Sequence, residues 1–141
     1  LLAGKSKPAQ ADLRRAVSVA YYALFHCLAR SNADLLIGTA KVSRSNPAWS
    51  QTYRALEHGI AKTACKRPEM TKFPADIQNF ASRFVTLQEL RHEADYDPDA
   101  RFAKSGVRQH LADAEASIAG FMAASTNDRR AFAAWVLFRK R

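Results

Sequence analysis

The run Pro74–Pro98, PADIQNFASRFVTLQELRHEADYDP, decides how this chain is read. Within it Ile77, Phe80, Phe84 and Leu87 recur at steps of three and four, the spacing that puts side chains on one helix face turned to a core. Pro74 suits the first turn of that helix. Asp97-Pro98 stops it, because the residue before a proline avoids the helical region. The next position on the apolar stripe is Arg91. A guanidinium keeps its proton, so where packing calls for an aliphatic group it needs a partner or a water-filled cleft. The pattern predicts a helix whose end carries a site, drawn from Arg91, His92, Asp95, Tyr96 and Asp97.

Working outward, a first helix is expected from about Ala9 to Arg30, with Pro8 at its first turn and Leu13, Val17, Ala20, Leu24 and Leu28 as its core stripe. At roughly 100° per residue, Arg15, Tyr22 and His26 fall together on the opposite side. A tyrosine and a histidine beside an arginine read either as part of a site or as a face turned to a neighbouring subunit. Residues 31–46 read as a connecting loop. Asn46 as cap and Pro47 open a second helix to Cys65, with Trp49, Tyr53, Leu56, Ile60 and Ala64 on one side. Gly59 weakens it by about 1 kcal/mol relative to alanine, which a close helix crossing would explain. A fourth helix is expected from Ser105 to Ala124. A short fifth, capped by Asn127-Asp128, places Phe132, Trp135 and Val136 on a shared face. No segment alternates at period two for long enough to make a strand. The expected fold is all-α: an up-down bundle of four long helices plus a short C-terminal fifth.

At 141 residues the chain fits one domain, 1–141, long enough to bury a core, and its 48 % hydrophobic content with five glycines and five prolines excludes a linker or tail. The net charge of +9 favours polyanionic partners such as RNA, DNA or an acidic protein. The 22 basic residues are scattered rather than packed into one run, so charge alone also fits plain solubility. Cys27 and Cys65 form no CxxC unit, so neither zinc nor any other metal or cofactor is expected. No signal peptide and no apolar run near the roughly 20 residues of a membrane span is visible, which makes a reducing cytoplasm the expected compartment. The chain opens at Leu1 without methionine and closes on Arg139-Lys140-Arg141, the ends expected of a segment with residues missing on one or both sides.

P-loop, GxGxxG, HExxH and GxSxG patterns are absent, as is a helix-turn-helix arrangement. Two small groups remain. In the first, Arg91 could hold a phosphate bidentately, with Asp95 beside it, and His92 could move a proton. The structural alternative pairs Arg91 with Asp95 across one turn, sets His92 near a helix C-terminus and packs Tyr96 over the break. The second group is Arg15, Tyr22 and His26. If the helices carrying the two groups are adjacent, both face one cleft. His58 and His110 lack clustered partners and read as surface or boundary residues.

Two stretches carry a family resemblance. Leu13–His26, LRRAVSVAYYALFH, resembles the opening helix of HEPN-domain proteins, small helical domains of prokaryotes and some eukaryotes. Arg91–Pro98, RHEADYDP, resembles the end of their third helix, and helix order and spacing agree from about Leu13 to Phe121. The resemblance implies a bundle of four or five helices that forms a homodimer, with the third-helix motif lining the cleft between subunits. Many members are metal-independent ribonucleases of toxin-antitoxin, CRISPR or antiphage systems. Their motif is an arginine, four to six variable residues and a histidine, with a polar residue often following the arginine. Arg91 takes the arginine and His92 the polar residue. The histidine is not matched: Tyr96 stands five places after Arg91, and no residue from Ala94 to Arg101 is a histidine. A phenol with a pKa near 10 is a poor base at neutral pH, and His92 or His26 substitutes only by reaching the same phosphate. Other branches of the family bind nucleotides or RNA, or partner nucleotidyltransferases, without a complete motif.

The resemblance therefore implies an RNA- or nucleotide-binding site with Arg91, His92 and Tyr96 in the catalytic positions and Arg15, Tyr22, His26 and Asp95 binding substrate. The alternative is a non-catalytic interaction subunit, antitoxin-like or a nucleotidyltransferase partner. That reading rests on the apolar excess of Phe132, Trp135, Val136, Leu137 and Phe138, which must be covered by this domain or by another chain.

Overall fold

A computed structural model of the chain describes residues 9–140; Pro8, Leu1 and Arg141 lie outside them. Six α-helices follow in order: α1 Gln10–Leu36, α2 Asn46–Arg54, α3 His58–Cys65, α4 Ala75–Tyr96, α5 Lys104–Ala123 and α6 Thr126–Leu137, with a 3₁₀ turn at Pro68–Lys72. Among the described residues there is no strand.

The Ile77–Leu87 stripe makes α4 the centre of the core. Ile77, Phe80, Ala81, Phe84 and Leu87 are all buried. Phe84 meets Tyr21 of α1 at 5.4 Å between ring centroids, and Phe80 stacks on Phe121 of α5 at 4.3 Å. Phe132 of α6 closes the end of the cluster, edge-on to Phe121 and Phe80. α1 and α4 run antiparallel: Arg14 reaches the last turn of α4, Ser18 reaches Asp95, and Tyr21 reaches Phe84. α4 and α5 are antiparallel as well, with Arg83 paired to Asp113 and Phe80 to Phe121.

Three elements differ from the sequence expectation. The first helix continues six residues past Arg30, to Leu36. Ser31, Asn32 and Ala33, read as loop, are buried. Arg129 of α6 donates to Ser31, and Trp49 donates to Asp34, so tertiary contacts outweigh modest helix propensity there. The expected second helix is two, broken at Ala55–Glu57. Its 4-3-4-4 spacing runs unbroken across the kink and so conceals it. At the kink Leu56 turns into the core, and beyond it Ala61, Ala64 and Cys65 are buried while Ile60 is half exposed. Gly59 sits under no crossing helix, since nothing lies within 4 Å of a Cβ built there. Among the described residues there are thus three long helices rather than four. The caps also shift by one or two residues: Ser45 accepts from Ala48 N–H, and Ser125 from Asp128 N–H, the usual hydroxyl capping geometry.

The turn after α4 is held from the first turns of α1. The Arg14 guanidinium donates to the carbonyls of Ala94 (2.8 Å), Asp97 (2.9 Å), Pro98 (3.4 Å) and Ala100. Gln10 clamps Phe102 through both its N–H and its C=O. Carbonyls at a helix C-terminus lack intrahelical donors, and an arginine satisfies several at once. Arg14→Met keeps the aliphatic stem and deletes the donors. It is expected to lower unfolding stability by about 2–3 kcal/mol, read from the urea midpoint. Gly59→Ala, exposed and unobstructed, is expected to raise it by about 0.5 kcal/mol.

Candidate functional site

Arg91 lies on the face of α4 that meets α1, with its side chain only 13 % exposed. Nη1 donates to Asp95 Oδ2 at 3.2 Å, and Asp95 Oδ1 accepts from Ser18 Oγ at 3.0 Å. The guanidinium carbon stands 5.3 Å from the Tyr21 ring centroid and 5.7 Å from that of Tyr22, within cation–π range of both. Nε is sealed from solvent without a partner, whereas Nη2 has no partner among the described residues and is not sealed. One donor nitrogen of a mostly buried cation is left open.

Helix α3 brings His58 to the same place. Tyr21 is fully buried, and its hydroxyl lies 2.5 Å from His58 Nδ1. Phe25 stacks on the His58 ring at 4.1 Å and 19°. On the exposed side, His26 Nδ1 and the Tyr53 hydroxyl are 2.7 Å apart. Tyr53 continues to Trp49 at 5.3 Å, and Arg44 lies over Trp49 at 4.2 Å. Tyr22 links the two histidines, with its ring centroid 5.9 Å from each. Four helices, α1 to α4, therefore contribute to one continuous group of rings with Arg91 on its flank.

The electrostatics follow from burial beside a fixed cation. Burial pushes the Tyr21 phenol far above its ordinary value, opposed in part by Arg91. Burial lowers the pKa of His58, and Arg91 and His26 lower it further, because a second positive charge beside a guanidinium is disfavoured. At neutral pH the Tyr21–His58 pair is uncharged. Cys65 is pushed up to about 12 by burial, and Cys27 is raised by burial against the opposing charge of Arg129. Both are free thiols. Among the described residues no three His, Cys, Asp or Glu side chains gather as a metal site would require, and no helix is long and apolar enough to cross a membrane.

Of the residues singled out in the sequence, Arg91, Asp95 and Tyr22 meet across the α1–α4 contact, while His26 adjoins Tyr22 and faces Tyr53 of α2. Of the structural alternative, the Arg91–Asp95 ion pair is present, whereas Tyr96 is exposed rather than packed over the break. His92 and Tyr96 form a separate pair, 4.8 Å between ring centroids, on exposed positions of α4. They follow Arg91 by one and five positions and so project from another side of the helix. Arg15 is exposed, with no hydrogen bond or ion pair to a described residue. Sequence reading missed Tyr21, Tyr53 and His58, the last being a cluster member rather than an isolated surface residue. One signal was available: Tyr21 is four residues after Val17 on the core stripe, and a buried tyrosine hydroxyl needs a polar partner. No protein-family model, no curated protein and no solved structure matches this chain.

The lowered pKa of His58 has a definite sign in stability. The unfolded chain protonates this histidine near pH 6.5 and the folded chain only at lower pH. Its contribution is therefore complete above about pH 6.5 and is lost as pH falls through the folded pKa. The urea midpoint is expected to drop between about pH 7 and pH 5, and to drop less in His58→Gln. Arg91→Gln removes a nearby cation and is expected to move the NMR titration of the His58 ring to higher pH.

Proposed function

We propose that this chain is a HEPN-like homodimeric bundle that binds RNA or a nucleotide phosphate on the face built around Arg91. Asp95 and Tyr22 touch Arg91 and His26 adjoins Tyr22; His92, Tyr96 and Arg15 are exposed positions apart from these contacts. The observation that carries this reading is the Arg91 guanidinium, mostly covered, set against two tyrosine rings and keeping one nitrogen open. A guanidinium held this way is pre-oriented for a phosphate oxygen, at lower entropic cost than a free surface lysine. The neighbouring rings offer surfaces for bases, and the net charge of +9 draws a polyanion toward the chain. In a toxin-antitoxin or antiphage setting, such a face would recognise or cut RNA. Two unpaired cysteines fit a reducing cytoplasm.

A second reading, a non-catalytic interaction subunit such as an antitoxin or a nucleotidyltransferase partner, is favoured by one observation. Most of the apolar excess of α6 is absorbed internally: Phe132 and Val136 are buried, and Trp135 donates to the Ala64 carbonyl. Phe138, however, is 61 % exposed, and with Ile60, Trp135 and Leu137 it borders a cavity of about 430 Å³.

Fluorescence anisotropy with labelled single-stranded RNA tests the first reading. Affinity is expected to fall steeply with salt. Arg91→Ala is expected to weaken binding about tenfold and to reduce the salt slope by about one. Light scattering is expected to give twice the 15.7 kDa chain mass. RNA affinity indifferent to Arg91→Ala would remove the reading.

A further inference from the structure

Helix α6 ends at Leu137, and Phe138 leaves it in extended geometry, φ −100° and ψ 148°. These two side chains border two cavities of about 430 Å³ each, one shared with Ile60, Ala64 and Trp135 and the other with Leu36, Ile37 and Ala55. Phe138 is 61 % exposed and Ile60 51 %, so large apolar groups stand open beside apolar hollows. The charged side chains at these cavities are all basic. Arg67, Arg139 and Lys140 border the first, and among the described residues no Asp or Glu borders either. Lys140 pairs with Glu69, whereas Arg139 is exposed and has no hydrogen bond or ion pair to a described residue. Arg67 lies over the Trp135 ring at 5.1 Å, a contact that covers a guanidinium without neutralising it. Gly59 adds a constraint of shape. It is exposed on α3 with Ile60 and Thr63, in a helical stretch with no positive φ. Nothing in the chain lies within 4 Å of a Cβ built there. Neither backbone conformation nor internal packing therefore accounts for a residue that weakens its helix. Close approach of a helix from outside does.

We propose that this surface docks an acidic amphipathic helix of a different protein. The apolar stripe of that helix seats on Phe138 and Ile60, its carboxylates meet Arg67 and Arg139, and its backbone crosses α3 at Gly59. This names the partner chemistry of the interaction-subunit reading and rests on that reading. A second copy of the chain fits less well, because it brings the same cations to the same rim. An anionic bilayer matches the charges, but a flat lipid surface gives no reason for the paired hollows or for a glycine at the point of closest approach.

The full chain is used to select peptides of about 18 residues, five helical turns, from a random displayed library, with Phe138→Asp as the counter-selecting protein. The expected selection is of peptides with apolar residues three and four apart and an excess of Asp and Glu. By fluorescence anisotropy, the most enriched peptide is expected to bind Phe138→Asp and Arg139→Glu each about tenfold or more weakly than the parent. Gly59→Ala is expected to weaken it about fivefold while raising the urea midpoint. Affinity lost in a more stable protein separates docking from damage to the fold. Enrichment of basic or uncharged peptides, or affinity indifferent to both Phe138→Asp and Arg139→Glu, overturns the assignment and leaves the interaction-subunit reading standing. Failure to enrich any peptide overturns both. Loss of the dimer mass in Phe138→Asp identifies a second copy as the occupant, and Phe138-dependent pelleting with phosphatidylserine vesicles identifies a membrane; either result overturns the proposal.

Discussion

The guanidinium of Arg14 governs the geometry of everything around Arg91. By taking the carbonyls of Ala94, Asp97, Pro98 and Ala100 it ends α4, fastens the turn into α5 and sets the register of α1 against α4. Once that register is set, Ser18, one turn along α1, meets Asp95, and Tyr21 and Tyr22, a further turn along, meet Arg91. Carbonyls are dipoles rather than charges, so Arg14 is satisfied without being neutralised. Arg129 behaves in the same way, bonded to the Ala124 carbonyl and the Ser31 hydroxyl. Several basic residues are thus structural yet still contribute to the positive field, which is why a net charge of +9 describes long-range attraction better than it locates a binding surface.

What could be read from spacing alone was the existence of three long helices, α1, α4 and α5, and the anomaly at Arg91. Ile77, Phe80, Phe84 and Leu87 predicted the buried face of α4, and the next step of the same stripe led to the guanidinium. The split between α2 and α3 was not legible, because the apolar period survives the kink at Ala55–Glu57 and Leu56 is buried as it would be in an unbroken helix. The end of α1 was obscured by propensity. Ser31, Asn32 and Asp34 are ordinary loop residues by composition, and their helical state depends on partners in α2 and α6 that lie far along the chain.

The site was legible in part for a related reason. Residues sharing one helix can be grouped from their angles, which brought Tyr22 and His26 together and correctly paired Arg91 with Asp95. The same logic grouped His92 and Tyr96 with Arg91 by nearness in sequence, although one and five residues on a helix point away from it. Tyr21 and His58 stand 37 positions apart, and no periodicity connects them. Only the need of a buried phenol for a partner does so, and that need names no residue until the helices are placed.

Arg91 carries opposite consequences for the two groups beside it. Its charge favours an ionised Tyr21 and disfavours an ionised His58, while burial favours the neutral form of both. For His58 the two influences act together; for Tyr21 they oppose, and burial prevails. The hydrogen bond between them therefore joins two neutral groups whose single proton has one stable position, on the phenol. A histidine pinned in that way presents a fixed donor at neutral pH and takes up a second proton only at lower pH. The other histidine–tyrosine pair, His26 with Tyr53, lies on the exposed side and carries no such constraint.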